Sequence, residues 1–284
     1  MIQSEISTMR KNRFLIFLFT SSVLVSHAQN IYDYNHSLKF ARYLYETGDY
    51  NNAIKEYKRA WFLNEIPESS QLRLFQSYLN AEKFTEGIDL YHSKYLSKLS
   101  NIDNLELVYG KMLINNRNYE NLYWLTNQTE SMSRDQILYL NLSADLLSEN
   151  WRSAIAKKKE IIDYPRLNPY ISTLNDLENI KYKSPALSIC LSTLVPGLGK
   201  VYSGYWNEGL LSLLTVSLFS WQAYRGFNDK GTSSIYGWTY ASLSATFYVG
   251  NLYGSYKSAK RKNHLLREKI LLDAKAKYSD MYRY

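Results

Sequence analysis

An aromatic residue recurs through the first half of the chain at Tyr50, Phe84, Tyr119 and Trp151, at separations of 34, 35 and 32 residues. Three residues after each stand Ala53, Gly87, Leu122 and Ala154. A period of about 34 residues is the length of one helix–turn–helix unit that stacks on copies of itself. Such a unit cannot bury its apolar stripe alone and must lean on the next. The fullest copy, Phe40 to Leu63, carries Ala41, Leu44, Gly48, Tyr50, Ala53, Tyr57 and Ala60. Ala41 and Ala53 let two helices approach closely, Tyr50 and Tyr57 fill the groove between them, and Gly48-Asp49 makes the tight turn. Leu122 departs from the small-residue pattern and leaves the pairing angle of the third copy open. Helix pairs are expected over about residues 34 to 160.

This order of small, large, turn-glycine and aromatic positions, with Pro67 near the closing position, resembles the tetratricopeptide repeat. The resemblance implies about four helix pairs over residues 29–162, stacked as a right-handed solenoid whose concave groove is lined by the first helix of each pair. On those positions stand Asn35, Arg42, Tyr45, Gln76, Asn80, Lys111, Asn115 and Ser143. Each taken singly reads as a solvated surface residue. As a concave array they read as a seat for a peptide or partner helix, with Tyr45 the best anchor because aromatic groups dominate contact energies.

The N-terminus reads as an export signal. Arg10, Lys11 and Arg13 precede the apolar run Phe14 to Val25, which ends at Ser26-His27-Ala28-Gln29. A basic region, a short apolar core and small residues at the cleavage positions are the pattern of a secretory signal peptide, here residues 1–28 with cleavage after Ala28. A run of about twelve residues is short of the roughly 20 that a spanning helix needs.

Asp163 to Lys183, with Pro165 and Pro169, breaks the repeat and reads as a linker, residues 163–183, with a short helix around Ile171 to Ile180. Beyond it the composition turns apolar. Pro185 to Val195 is too short to cross a bilayer core of about 30 Å. It ends in Pro196-Gly197-Leu198-Gly199-Lys200-Val201-Tyr202-Ser203-Gly204, whose glycines permit a sharp backbone turn. An apolar half-helix followed by such a turn reads as a re-entrant or interfacial element, tolerated where it packs against protein. Leu210 to Phe227 and Ile235 to Tyr253 read as two spans. Gly237, Ala241 and Ala245, then Gly250 and Gly254, are spaced by four as ridges for close helix packing, with Asn251 among them. Trp206, Trp221, Trp238, Tyr236 and Tyr240 fall near the span ends. The rival reading is a buried hairpin of a soluble fold. The motif around Pro196, Gly197, Gly199, Tyr202 and Gly204, with Phe247 to Ser255, resembles a small bacterial membrane domain related to the TM2-type hairpin. That resemblance covers about residues 184–262, with the membrane helical module itself expected over residues 184–256, and implies location more than mechanism.

The formal charge of +8 is not spread evenly. Residues 30–183 are nearly balanced, whereas residues 257–284 carry nine Lys and Arg against three Asp and Glu. Positive charge beside apolar segments points to membranes rather than nucleic acid. The tail therefore reads as a basic amphipathic helix on anionic headgroups, with Leu265, Leu266, Ile270 and Leu271 toward the bilayer. Two rules collide here: the charge bias prefers the cytoplasm, while export followed by two crossings returns the tail to the outer side. Export commits the chain early, so repeats and tail are both expected on the extracytoplasmic (periplasmic) side.

Catalytic and cofactor chemistry finds no constellation. Gly-Leu-Gly-Lys lacks the flanking residues of a phosphate loop, with Leu194 and Val201 where glycine and a hydroxyl are needed. His27, His36, His92 and His264 are not spaced as metal ligands, and the lone Cys190 reads as a small buried hydrophobe. The fold expected is all-α: a helical-repeat solenoid followed by a membrane-embedded hairpin with a short re-entrant helix. The function expected is a non-enzymatic, membrane-anchored scaffold or assembly factor of the bacterial cell envelope, without cofactor, binding a protein or peptide and the lipid bilayer. The alternative makes the membrane module the active part, as a channel or insertion-associated component that the repeats regulate.

Overall fold

The computed structural model describes residues 33–95 and 101–282, so the expected signal peptide lies outside the described residues. Every regular element among the described residues is a helix. The chain divides into two compact units, one ending at Met132 and one beginning at Ser133.

The first unit holds α1 (Tyr34–Glu46), α2 (Tyr50–Leu63), α3 (Glu68–Asn80), α4 (Phe84–Tyr95), α5 (Leu105–Asn115) and α6 (Tyr119–Gln128). Short polar side chains cap three of them: Asp33 accepts from the His36 amide, Asp49 from Asn52 and Asn118 from Asn121. Ala41, Ala53, Tyr57 and Ala60 are fully buried, so the small residues do sit where α1 meets α2. Gly87 and Leu122 occupy the matching places: Leu122 is fully buried, and a Cβ at Gly87 would lie 2.6 Å from Met112 Sδ. Helix α5 has no polar face, since every residue from Leu105 to Ile114 is buried. It is the centre of this unit.

In the second unit lie α7 (Arg134–Leu147), α8 (Trp151–Ala156), α9 (Lys158–Ile161), a 3-10 turn (Pro165–Leu167) and α10 (Pro169–Glu178). They are followed by α11 (Pro185–Leu194), α12 (Leu198–Tyr202), α13 (Trp206–Lys230), a 3-10 turn (Gly231–Ser233) and α14 (Ile235–Asp280). Tyr50, Phe84, Tyr119 and Trp151 are each the first residue of their helix.

One turn recurs before all four. The residue two places ahead of each aromatic is left-handed: Gly48 at φ 82°, Glu82 at 57°, Arg117 at 57° and Glu149 at 62°. The next amide closes on a carbonyl five residues back in every copy, Asp49 to Leu44, Lys83 to Tyr78, Asn118 to Leu113 and Asn150 to Asp145, at 2.8 to 3.0 Å. This is the Schellman closure that ends a helix and satisfies its last carbonyls.

The expected linker is refined in one respect: the short helix expected around Ile171 to Ile180 is α10 (Pro169–Glu178), and it is packed, burying Tyr170, Thr173, Leu174 and Leu177, with the Tyr170 hydroxyl 2.8 Å from Ser143 Oγ. Apolar residues at helical spacing outweigh the two prolines, which stand at helix starts where a missing N–H costs nothing.

The tail is corrected. No glycine or proline follows Gly254, and α14 runs unbroken for 46 residues, about 69 Å at 1.5 Å per residue. Its last third docks on protein: Ile270, Ala274 and Tyr278, four apart, are buried. The Tyr139 hydroxyl donates to the Tyr278 carbonyl at 2.9 Å with the two rings stacked 5.9 Å apart, and Thr173 donates to Asp273 at 2.5 Å. Ile270 therefore faces protein, whereas Leu265 is exposed. The two expected spans fall within α13 and α14, but no described helix is long and apolar enough to cross a membrane.

The three non-glycine turn residues carry a left-handed penalty of roughly 1–2 kcal/mol each, part of which glycine would return in the unfolded chain. Glu82→Gly and Arg117→Gly should each stabilise the chain by about 0.5–1 kcal/mol, and nearly additively. Urea denaturation measures this, and lowered midpoints would mean that these turns are not left-handed in solution.

Candidate interaction surfaces

The expected groove residues separate by burial. Asn35, Arg42, Asn80 and Asn115 are exposed. Tyr45 and Gln76 meet, the Tyr45 hydroxyl donating to Gln76 Oε1 at 2.8 Å, and the Arg73 guanidinium lies 5.7 Å from the Tyr45 ring centre. Burial raises the Tyr45 phenol above its ordinary value. Lys111 is only 6% exposed, and burial lowers its ammonium to about 8. Ser143 belongs to the second unit and is spent on Tyr170. Gln76, Lys111 and Ser143 are thus interior groups, a correction to their expected place on an open face. Helical periodicity assigned their side of the helix but not what packs over it.

Sequence reading also passed over Glu106. This buried carboxylate accepts from the Thr129 hydroxyl and, at 2.8 Å, from Ser131. A charged residue inside the apolar stretch Leu105 to Ile114 was the available signal.

The glycine motif of the second unit makes backbone contacts. Gly197 is left-handed at φ 88°, and a Cβ on it would lie 2.0 Å from the Gly209 carbonyl oxygen. At Gly199 a Cβ would lie 1.8 Å from the Ser188 carbonyl oxygen. Gly204 turns the chain at φ 89°, the Ser184 amide donates to the Tyr202 hydroxyl at 3.1 Å, and Pro196 lines an open recess between α13 and α14.

Inside, the α11–α14 module is polar and small. Ser192 Oγ accepts from the Gly199 amide at 2.9 Å and lies 2.7 Å from Ser255 Oγ. Ser188 Oγ is within 2.9 Å of the Gly199 and Ser255 carbonyls, and Ser220 pairs with Ser244 at 2.7 Å. Outside, Leu194, Leu211, Leu214, Trp221, Trp238 and Val249 are exposed. The first unit has the opposite order, with Tyr57, Leu74, Phe75, Tyr78 and Met112 inside.

Of the expected packing residues, Gly237 meets the Phe227 ring and the Gly226 backbone, and Gly254 meets the Lys200 side chain. Ala241 and Ala245 border the recess at Pro196, Gly250 has open space beside it, and Asn251 is buried. Cys190 is exposed, contrary to the buried reading. Among the described residues no group of His, Cys, Asp and Glu is placed to hold a metal. His36 pairs with Asp33 at 2.9 Å and His92 with the Tyr109 hydroxyl at 2.7 Å.

The lowered value of Lys111 has a definite sign. Between pH 8 and 10.5 the unfolded chain binds the proton that the folded chain has released, so this residue's contribution to stability rises with pH. Below pH 8 both states are charged and the burial penalty is fully present. Lys111→Met should therefore exceed the parent in stability at pH 7, by at most about 3 kcal/mol. The gap should narrow from pH 8 to 10.5. Paired denaturation curves across that range test it, and a constant gap would remove the buried charge as its cause.

Compared with known proteins, the chain matches no protein family, no curated protein and no solved structure.

Proposed function

We propose that the chain is a non-enzymatic, membrane-anchored scaffold of the bacterial cell envelope, exported by its N-terminal signal, that holds a protein or peptide partner near a bilayer. The observation that carries the reading is the inverted polarity of the α11–α14 module: serine and glycine inside, leucine, tryptophan and valine outside. In water this arrangement leaves large apolar surface uncovered. In lipid it is the favourable one, because polar groups find partners within the protein and small residues let helices approach closely. Hydropathy averaged along α13 or α14 counts the inward serines together with the outward leucines. A lipid-facing stripe is diluted by that average.

The helix pairs support the scaffold half of the proposal. Four units with one turn geometry and a period of 32 to 35 residues suit a tetratricopeptide-like array. In the first unit the exposed Asn35, Arg42, Asn80 and Asn115, with the half-buried Tyr45, are the groups offered to a partner.

Flotation of the full chain with vesicles of phosphatidylethanolamine and phosphatidylglycerol tests the anchor. The chain should float and remain bound in 1 M salt (about a 3 Å screening length), since apolar contact is not screened. Leu214→Lys with Leu218→Lys should abolish this, each charge costing roughly 2.5–3.5 kcal/mol in the bilayer interior. Release of the parent chain by salt, or flotation of the double variant, would defeat the membrane reading.

A further inference from the structure

One recess in the α11–α14 module holds polar groups that the fold leaves unused. It has a volume of about 420 Å³ and is lined by Lys200, Leu211, Thr215, Phe247, Gly250 and Asn251 among others. Asn251 is 3% exposed, and neither its Oδ1 nor its Nδ2 has a hydrogen-bond partner. A buried donor or acceptor left unmet is destabilising, so a carboxamide with both unmet calls for an occupant. A Cβ placed on Gly250, the residue before it, would meet nothing within 4 Å.

The remaining groups state what kind of occupant fits. Thr215 donates to the Leu211 carbonyl and Thr246 to Ser242, both at 2.8 Å, and Ser212 donates to Glu208 at 2.9 Å. These hydroxyl protons are spent. Lys200 Nζ donates to Ser212 Oγ at 2.8 Å, which leaves two further N–H groups on the one charged residue of the lining. The donors on offer are thus the Lys200 ammonium and, once its sealed side chain turns toward the recess, the Asn251 carboxamide NH2, with Asn251 Oδ1 the acceptor, while Leu211, Val216 and Phe247 supply apolar wall.

We propose that this recess binds the head of an anionic phospholipid, Lys200 and the Asn251 amide donating to its phosphodiester and a headgroup hydroxyl donating to Asn251 Oδ1. The proposal rests on the membrane reading above. A phosphodiester carries one negative charge and neutralises Lys200, whereas a phosphate monoester would leave an uncompensated charge in a low-dielectric site. A choline headgroup has no donor for Oδ1 and would bring a second cation beside the ammonium. A glycerol headgroup has both the hydroxyls and the neutrality. The acyl chains would run along Leu211 and Phe247.

The test is native mass spectrometry of the full chain in detergent, titrated with phosphatidylglycerol, with phosphatidylcholine of the same chains, and with deacylated glycerophosphoglycerol. The parent should retain one phosphatidylglycerol at least tenfold more tightly than either competitor. Gly250→Leu fills the recess from a position that touches nothing, and Lys200→Met removes the cation; each should weaken retention at least tenfold while vesicle flotation persists. Unchanged retention in both variants, as for a recess that holds water, would overturn the proposal, and so would equal retention of phosphatidylcholine. Equal binding of glycerophosphoglycerol would make this a site for free phosphodiesters and overturn the lipid assignment. Loss of flotation by the parent chain would instead defeat the membrane reading itself.

Discussion

The second unit depends on the approach of two backbones at Gly199. With a Cβ there only 1.8 Å from the Ser188 carbonyl oxygen, any side chain would drive α12 away from α11. The approach lets the Gly199 amide donate to Ser192 Oγ, and the same serine touches Ser255 on α14, so three helices are joined through one small polar cluster. Gly197 is equally confined, by the Gly209 carbonyl at the start of α13. From that fixed turn Lys200 extends against Gly254 and reaches Ser212. The glycine-rich motif that imitates a phosphate loop in sequence is therefore a packing device, and its lysine is aimed by packing.

A core of serine and glycine holds helices by hydrogen bonds and close contact more than by the release of water from apolar surface. Such a core suits surroundings that do not compete for those hydrogen bonds. The first unit follows the other rule, burying tyrosine, leucine and methionine around an α5 with no polar face. Among the described residues of this unit, buried Glu106 accepts from two hydroxyls, and burial lowers the affinity of Lys111 for its proton. In the second unit Asp145 is also buried, and it lies 2.5 Å from Lys157 and 2.6 Å from Ser153.

The helix starts were legible because each is an aromatic at a fixed interval, and aromatics fill the groove between paired helices whatever the rest of the sequence does. The turns were legible once, at Gly48; at Glu82, Arg117 and Glu149 the closing hydrogen bonds impose a left-handed backbone that the residue type does not announce. Periodicity placed Gln76, Lys111 and Ser143 on the first helix of a pair but carried no information about Tyr45 or Tyr170 reaching across to cover two of them. The unbroken α14 could have been read from the lack of glycine and proline after Gly254. The strong charge of that stretch suggested a separate tail instead. Asn251 stood in a recognised motif, yet its unmet carboxamide exists only once Lys200, Ser212 and Gly250 surround it.

The basic tail bears on sidedness through what its charges touch. Arg267 bonds Glu149, Lys269 lies 3.1 Å from Asp176, Lys277 lies 2.6 Å from Asp273, and Arg261 lies 2.5 Å from Glu208. Lys257 and Lys260 lie over the rings of Tyr253 and Tyr256. Charge already matched by carboxylates within the same unit exerts less pull toward one membrane face than the raw count of nine suggests. Because α14 is continuous and its end is packed on α7 and α10 through Tyr278 and Asp273, the tail and the fourth helix pair must share one side of any bilayer that the hairpin enters. An even number of crossings between them meets that requirement. In the proposed membrane-anchored chain the expected export signal would then set the side for both, with the tail following the repeats through the packing of one long helix.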